Sequence, residues 1–280
     1  MPPHRDPLVY LPPLLWALNV VASRVAMGEV GPFWGSFLRF ALALPLFLLF
    51  LGRLPSWKPL GQTLFLALSG VAVFNLVFFG GVRLAPASDA AAVAAVYPLS
   101  TAFAYALYFR KPLPPPLLQG LLLSGSGVVL LALAHAGSGE GPNRLLGDAL
   151  LVLAALLWGA YSVGVSLAVR TRSALEVTAA SMLLGSLLLL PFALAHPFPQ
   201  AGPKAWLALL YTAWGGAFLA FSLWGEVLRR HPASRVAPFM NLTPALALLF
   251  SALLLGEAPR AWDLPGLLLI ALGVWRSQKG

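Results

Sequence analysis

The feature that most constrains this chain is a series of apolar runs, each close to the ~20 residues that an α-helix needs to cross a bilayer. Short breaks rich in Gly, Pro and charged residues separate them. Backbone groups inside a bilayer have no water to bond, so each run is expected to be a helix. The pattern predicts ten spans, at about residues 8–27, 32–51, 60–82, 87–109, 115–135, 147–169, 175–195, 203–225, 233–255 and 262–277.

The composition agrees with a membrane protein. Hydrophobic residues make up 59% of the chain and charged residues only 10%, whereas soluble domains carry about 25% charged residues. The net charge of +9 could indicate nucleic acid, but the basic residues are scattered between apolar runs. No nucleic-acid partner is therefore predicted, and membrane lipids and a small-molecule substrate are. The lack of cysteine excludes disulfide and thiolate chemistry.

The chain also repeats itself. Two stretches begin Pro-Ala-Ser, from Pro86 and Pro232, and each has a second proline twelve residues later. The same offset of 146 residues pairs Pro45 with Pro191, Gly70 with Gly216, Pro98 with Pro244, Gly120 with Gly266 and Gly127 with Gly273. The first span matches at an offset of 142, which pairs Trp16 with Trp158. A register held over this length predicts a duplication, with repeats at 1–135 and 147–280 and a linker at 136–146.

Each predicted repeat holds five spans, so the second copy enters the membrane from the opposite side and the repeats are inverted. On that topology, twelve Lys and Arg residues lie at one side and five at the other, and the eighteenth is Arg39 within a span. The excess of positive charge predicts that both termini are cytoplasmic. We expect a multi-pass protein of the inner membrane.

Inverted repeats are typical of transporters that expose a central site to each side in turn. Pro98 and Pro244 fall inside the fourth and ninth spans, where each removes a helix hydrogen bond. The pair is therefore predicted to act as gating hinges. The alternative is a pair of kinks that serve packing only.

Several stretches carry a resemblance to a known family. They are LLWALNVVASRVA in the first span, FLRFALALP in the second, the two Pro-Ala-Ser stretches, and LFSALLLGEAPRAWDLPGLLLIALGVW at the end. In these the chain resembles the drug/metabolite transporter superfamily, specifically its ten-helix EamA-type members. The first repeat departs from the pattern, with Arg110-Lys111 where the second has Gly256-Glu257. The resemblance implies a carrier of small organic solutes, often an exporter of amino acids or other metabolites.

Polar and aromatic residues inside apolar spans are the candidates for substrate binding. The alternative for the aromatic residues is a lipid-facing or interfacial position. The alternative for the amides is contact between helices. The candidates are Trp16, Asn19, Asn75, Phe79, Tyr97, Trp158, Tyr161, Trp214, Asn241 and Thr243.

Two charged residues are considered for a role at the site, Arg39 within the second span and Glu226 in the last turns of the eighth helix. Arg39 is expected either to bind a substrate carboxylate or to pair with Glu29. Glu226 is followed by Arg229 and Arg230, which favours an interfacial salt bridge over a proton carrier. No carboxylate lies at mid-span, so no proton coupling is expected.

Small residues in the fifth and tenth spans predict close helix packing, either between the repeats or in a homodimer. They are Gly120, Ser124, Gly127, Gly266 and Gly273.

The sequence therefore predicts an all-α membrane protein of ten transmembrane helices in two inverted repeats. We expect it to move a small neutral or zwitterionic metabolite, an amino acid, by alternating access and in the export direction. No Gly-Lys-Ser/Thr motif occurs, so ATP hydrolysis is not indicated. No catalytic residue, metal or cofactor is expected. The alternatives are an exporter of lipophilic drug-like compounds and a lipid-handling or structural membrane protein.

Overall fold

A computed structural model describes residues 2–85, 89, 93–134, 143–256, 260–261 and 263–279. Within these residues all regular secondary structure is helical. There are ten main helical stretches: α1 Leu11–Val30, α2 Pro32–Leu51, α3 Leu60–Leu84, α4 Val96–Phe109, α5 Pro115–Ala134, α6 Arg144–Ala168, α7 Ala174–Leu194, α8 Pro203–Arg230, α9 Ala233–Leu255 and α10 Asp263–Ser277.

Eight of these stretches are long and apolar enough to cross a membrane. The described parts of α4 and α10 are shorter, at 14 and 15 residues. The predicted boundaries are correct to within a few residues, except that α8 continues to Arg230 where the sequence predicted an end near residue 225. The start of the predicted fourth span, with Pro86, and most of the predicted linker lie outside the described residues.

α4 and α9 are interrupted at matching positions. In α9 a 3₁₀ segment, Ala237–Asn241, precedes the regular helix Leu242–Leu255. In α4 a turn at residues 94–95 precedes Val96–Phe109. Pro98 and Pro244 are the third residues of these segments, where the missing N–H costs no helical hydrogen bond. The expectation that each proline removes a helix hydrogen bond is wrong, because the helix breaks just before each proline and leaves it in a first turn. The action of the pair as hinges stays a prediction.

The two segments also end alike, although the sequences differ there. Arg110 and Gly256 occupy matching positions and both adopt a left-handed backbone, with φ of 51° and 70°. Glycine reaches this conformation without a steric cost, whereas arginine does so rarely. The departure of the first repeat from the family pattern therefore leaves the helix end unchanged.

α3 and α8 share a second matched irregularity, which the sequence did not predict. Each contains a π-helical segment, Leu68–Ala72 in α3 and Thr212–Ala220 in α8. The first, shifted by 146 residues, falls inside the second. A π turn bonds each carbonyl to the fifth following N–H, so it widens the helix and turns the residues beyond it to a new direction.

α5 packs on α10 through the predicted glycines. A methyl group on Gly127 would lie 2.6 Å from the Gly266 carbonyl oxygen, and one on Gly120 would strike Gly273. Such close backbone approach is possible only for residues without a side chain. The prediction that these residues pack one repeat against the other is confirmed.

Candidate functional site

An aromatic cluster lies where the two repeats meet. Its centre is an edge-to-face contact between Trp16 of α1 and Trp158 of α6, with ring centroids 5.4 Å apart. These residues hold equivalent positions in the two repeats. We define the cluster as Trp16, Phe74, Tyr97, Trp158, Tyr161, Phe221 and Trp224, whose rings are joined by centroid distances of 5.4–6.4 Å.

Each of the two π segments packs closely against the first helix of the other repeat. A side chain added at Gly70 would overlap the Tyr161 ring, and one added at Gly216 would overlap the Asn19 amide. Tyr161 and Asn19 are themselves equivalent, 142 residues apart. Each repeat therefore sends a side chain from its first helix onto the π-segment glycine of the other repeat.

Phe221 and Trp224 were missed by the sequence analysis. A uniform helical stripe through α8 selects Trp214, whereas the structure buries Phe221 and Trp224 at 5% and 1% exposure. The cause is the π segment at Thr212–Ala220, which lies between the two sets. Because it changes the number of residues per turn, a stripe drawn at 3.6 residues ends on the wrong face.

Three predicted residues lie apart from the cluster. Trp214 is 48% exposed, and its Nε1 donates to the Leu42 carbonyl, 3.2 Å away, beside the break in α2. Phe79 is half-buried and packs on Phe78. Thr243 is half-buried near the start of the regular part of α9.

The three predicted amides differ in what they bond. Asn75 Nδ2 donates to the Val71 carbonyl in the π segment of α3 at 2.6 Å. Asn241 Nδ2 donates to Ser124 Oγ at 2.7 Å and so ties α9 to α5. Asn19 Oδ1 is buried and accepts no hydrogen bond from the described residues. Asn75 and Asn241 therefore make hydrogen bonds within the protein. Of the three amides, only Asn19 has a buried acceptor without a hydrogen bond from the described residues.

Some other buried polar atoms, in or next to the cluster and on α2, also lack partners among the described residues. They are Trp224 Nε1, Ser162 Oγ, Ser36 Oγ and Arg39 Nε. Buried polar groups are nearly always hydrogen-bonded in folded proteins, so a group of exceptions calls for an explanation.

The two charged residues predicted within the spans have different surroundings. Glu226 pairs with Arg229 at 2.6 Å and with Arg230 at 2.8 Å, so the predicted salt bridge is confirmed. The expected pairing of Arg39 with Glu29 is wrong. Glu29 Oε2 instead accepts the Gly202 N–H at 2.7 Å, because the α7–α8 loop lies closer to it.

A carboxylate at one end of α2 joins the two repeats. Glu176, in the first turn of α7, accepts the Ser56 N–H at 2.5 Å and pairs with Arg53 at 2.6 Å. Arg172 donates to the Ser56 carbonyl at 2.7 Å. Burial lowers the pKa of Arg172 from its ordinary value, while the Glu176 charge opposes that shift. We call Arg53, Ser56, Arg172 and Glu176 the Glu176 latch.

The other end of α2 carries an equivalent junction. Gly202, whose N–H bonds Glu29, lies 146 residues after Ser56, so the two donors hold matching positions in their repeats. Trp34 Nε1 donates to the His196 carbonyl at 3.1 Å. We call Glu29, Trp34, His196 and Gly202 the Glu29 latch. In both latches a carboxylate from one repeat binds a loop N–H of the other.

Comparison with known proteins identifies the family. The model of the EamA-like transporter family matches residues 6–133 and 145–276. The chain belongs to the EamA-like transporter family. It is 27% identical to an uncharacterized transporter of Archaeoglobus fulgidus, over 96% of this chain and 95% of that one. It is 28% identical to a probable amino-acid metabolite efflux pump of Salmonella typhimurium, over 96% and 92%.

A solved structure agrees on the fold. A protein crystal structure superposes with a TM-score of 0.83 at 24% identity, and the match covers 96% of this chain and 94% of that chain. The relatives are transporters, so the EamA-like chain is a multi-pass membrane transporter. The cluster lies between the two segments that the family model matches.

Proposed function

We propose that this EamA-like protein exports an amino acid across the inner membrane by alternating access, with ten spans in two inverted repeats. The observation that carries the proposal is the contact between Trp16 and Trp158, which puts an aromatic cluster between the matched repeats. Its relatives include a probable amino-acid metabolite efflux pump. Aromatic faces attract an ammonium group, and the unused polar atoms around the cluster suit a zwitterion.

Two latches at opposite ends of α2 support alternating access. Each joins the repeats through a carboxylate that binds a loop N–H, and the two loop N–H groups hold equivalent positions. Opening one end of the central site then requires the release of one latch while the other stays closed. This is the exchange of roles that inverted repeats allow.

The orientation follows from the charge distribution. With both termini in the cytoplasm, the loop 52–59 and the Glu176 latch face the cytoplasm, and the loop 195–202 and the Glu29 latch face outward. Single cysteines at Ser56 and Gln200, in a chain with no cysteine of its own, test this. An impermeant maleimide applied to intact cells should label Gln200→Cys and spare Ser56→Cys. The reverse pattern rejects the orientation.

Transport is expected to run down the gradient of the substrate or by exchange. The seven acidic residues that the structure describes all lie in loops or within about two turns of a helix end. They are Asp6, Glu29, Asp89, Asp148, Glu176, Glu226 and Asp263. A carrier driven by protonation of a carboxylate needs that carboxylate deep in the span.

The experiment is a proteoliposome uptake screen across amino acids, each measured with and without an imposed pH gradient. We expect saturable uptake of at least one amino acid that changes little when the gradient is abolished. Strict dependence on the gradient would reject the coupling proposal, and absence of uptake for every amino acid would reject the substrate proposal.

A second candidate, export of lipophilic drug-like compounds, is favoured by one observation. Asn75 and Asn241 use their amide N–H groups within the fold, which leaves the surroundings of the cluster more apolar than the sequence suggests. The same screen therefore includes a lipophilic cation. Uptake of that cation without uptake of any amino acid would favour this candidate.

A further inference from the structure

Arg39 is a cation in the first half of α2, on a stripe that faces the protein interior. The residues that share this stripe are Ser36, Phe40, Ala43 and Phe47, all of which are buried. Arg39 is itself half-buried. Its guanidinium carbon lies 4.9 Å from the Phe40 ring centroid, and Phe40 contacts Phe221 of the aromatic cluster at 6.5 Å. The cation therefore lies beside the proposed site.

Within the described part of the chain, no hydrogen bond or ion pair reaches the Arg39 guanidinium. Its Nε is buried without an acceptor, and Ser36 Oγ, one turn earlier on the same face, is buried without a partner as well. An intramembrane arginine normally pairs with an acid or a carbonyl. The Arg39 Nε and the Ser36 Oγ, one helical turn apart, are thus both buried without a hydrogen-bond partner among the described residues.

The described carboxylates are all engaged with other residues. Glu29 binds Gly202, Glu176 binds Ser56 and Arg53, and Glu226 binds Arg229 and Arg230. The remaining four are held elsewhere: Asp6 by His231, Asp89 and Asp148 by Arg144, and Asp263 by the Arg260 N–H. None of them is available as a counter-ion for Arg39.

The other repeat shows that the fold does not need a cation at this position. The residues of α7 equivalent to Arg39 and Ser36 are Gly185 and Met182. Gly185 packs against Val71 in the π segment of α3, and Met182 is fully buried. The two helix positions are thus apolar and closely packed in the second repeat. In the first repeat they are polar, with buried atoms that lack hydrogen-bond partners among the described residues.

We infer that Arg39, with the Ser36 hydroxyl, binds the carboxylate of the transported solute. Guanidinium presents paired N–H donors that match the two oxygens of a carboxylate, and a hydroxyl one turn away can donate to the same group. The remainder of the solute would then lie toward the aromatic cluster. This inference rests on the proposed function and narrows its substrate class to carboxylate-bearing solutes.

The test separates the carboxylate from the rest of the ligand. Binding of phenylalanine, 3-phenylpropionate and phenethylamine to the purified full-length protein is followed by tryptophan fluorescence, and uptake is measured in proteoliposomes. The first two probes carry a carboxylate and the third does not. We expect Arg39→Gln to weaken binding of both carboxylates by about 10-fold or more, because it removes the charge-assisted bonds, and to leave phenethylamine within about 2-fold.

Three further variants keep the test decisive. Arg39→Lys keeps the charge and should restore part of the affinity, and Ser36→Ala should weaken both carboxylates less than Arg39→Gln. Arg83→Gln removes the same charge at an exposed helix end and should change nothing. If Arg39→Gln is not recovered folded, the comparison of Arg39→Lys and Ser36→Ala with the wild type takes its place.

The outcomes distinguish the inference from the proposed function. Equal effects on all three probes, or no effect on the carboxylates, overturn the role of Arg39. A wild-type protein that binds neither carboxylate also overturns it. Arg39-dependent binding of carboxylates without uptake of any amino acid upholds the inference and rejects amino-acid transport.

Discussion

The two latches use loop N–H donors at equivalent positions of the repeats, but their carboxylates lie in different surroundings. The Glu176 carboxylate is buried at 5% exposure, bonds a backbone N–H and an arginine, and is backed by Arg172. The Glu29 carboxylate is exposed and bonds only the Gly202 N–H among the described residues. A charged group that has lost its water binds its partners more strongly than one that water still reaches. We therefore expect the Glu29 latch to release first.

The difference also fits the direction of the proposed export. From the state in which both latches are closed, a protein with a weaker outer latch opens more readily to the outside. The solute is then released on that side. One reporter serves to test both latches: Ser162→Cys, a buried position near the cluster, labelled by an impermeant maleimide from either side of oriented vesicles.

Loss of the Glu176 carboxylate is expected to have the largest effect. Hydrogen bonds to charged groups contribute about 1.5–3 kcal/mol, which is roughly 10- to 100-fold in the ratio of open to closed states. Glu176→Ala should raise labelling from the cytoplasmic side by that factor and slow transport. Glu226→Ala removes the same charge from ion pairs along α8 and serves as the control. Unchanged labelling, or equal increases from both sides, would contradict the role of this latch.

Glu29→Ala should open the other side by a smaller factor. Its bond to Gly202 is exposed, and a hydrogen bond of this kind contributes about 0.5–1 kcal/mol, or roughly 2- to 5-fold. The increase should appear only for reagent applied from the outside. A change as large as that of Glu176→Ala would show that exposure does not set the strength of the latches.

Arg53→Gln tests how much the ion pair adds to the Glu176 latch. The Arg53 side chain is 61% exposed, so solvent screens the pair and its contribution is about 0.2–1 kcal/mol. Cytoplasmic labelling should rise by about 2-fold, well below the effect of Glu176→Ala. Equality of the two variants would mean that the arginine, and not the Ser56 N–H, carries the latch.

The smallest effect is expected from an attempt to strengthen the Glu29 latch. Pro199 is the position that matches Arg53 in the second repeat. Pro199→Arg places a cation near the exposed Glu29 and should reduce outside labelling by less than about 2-fold, as for other surface ion pairs. Pro199→Ala controls for the loss of the proline ring. A reduction of the same size in both variants would assign the effect to the loop and not to the charge.

The sequence by itself determined the helices, the duplication and the packing glycines. An apolar run of bilayer length is read from neighbouring residues alone, and a register such as Gly120–Gly266 needs only a comparison of the chain with itself. The sequence also selected Trp16, Trp158 and Tyr161 as site residues, and the structure joins their rings through Trp158.

Only the tertiary structure decided which groups are partners. The bonds of Glu176 to Ser56 and of Glu29 to Gly202 join residues 120 and 173 positions apart, and no local pattern selects one N–H among many at that distance. The π segment of α8 turned Trp214 outward and Phe221 and Trp224 inward, because a wider turn is not visible in a pattern read at 3.6 residues. The tertiary structure also decided that no described carboxylate pairs with Arg39, because it places each of them beside another partner.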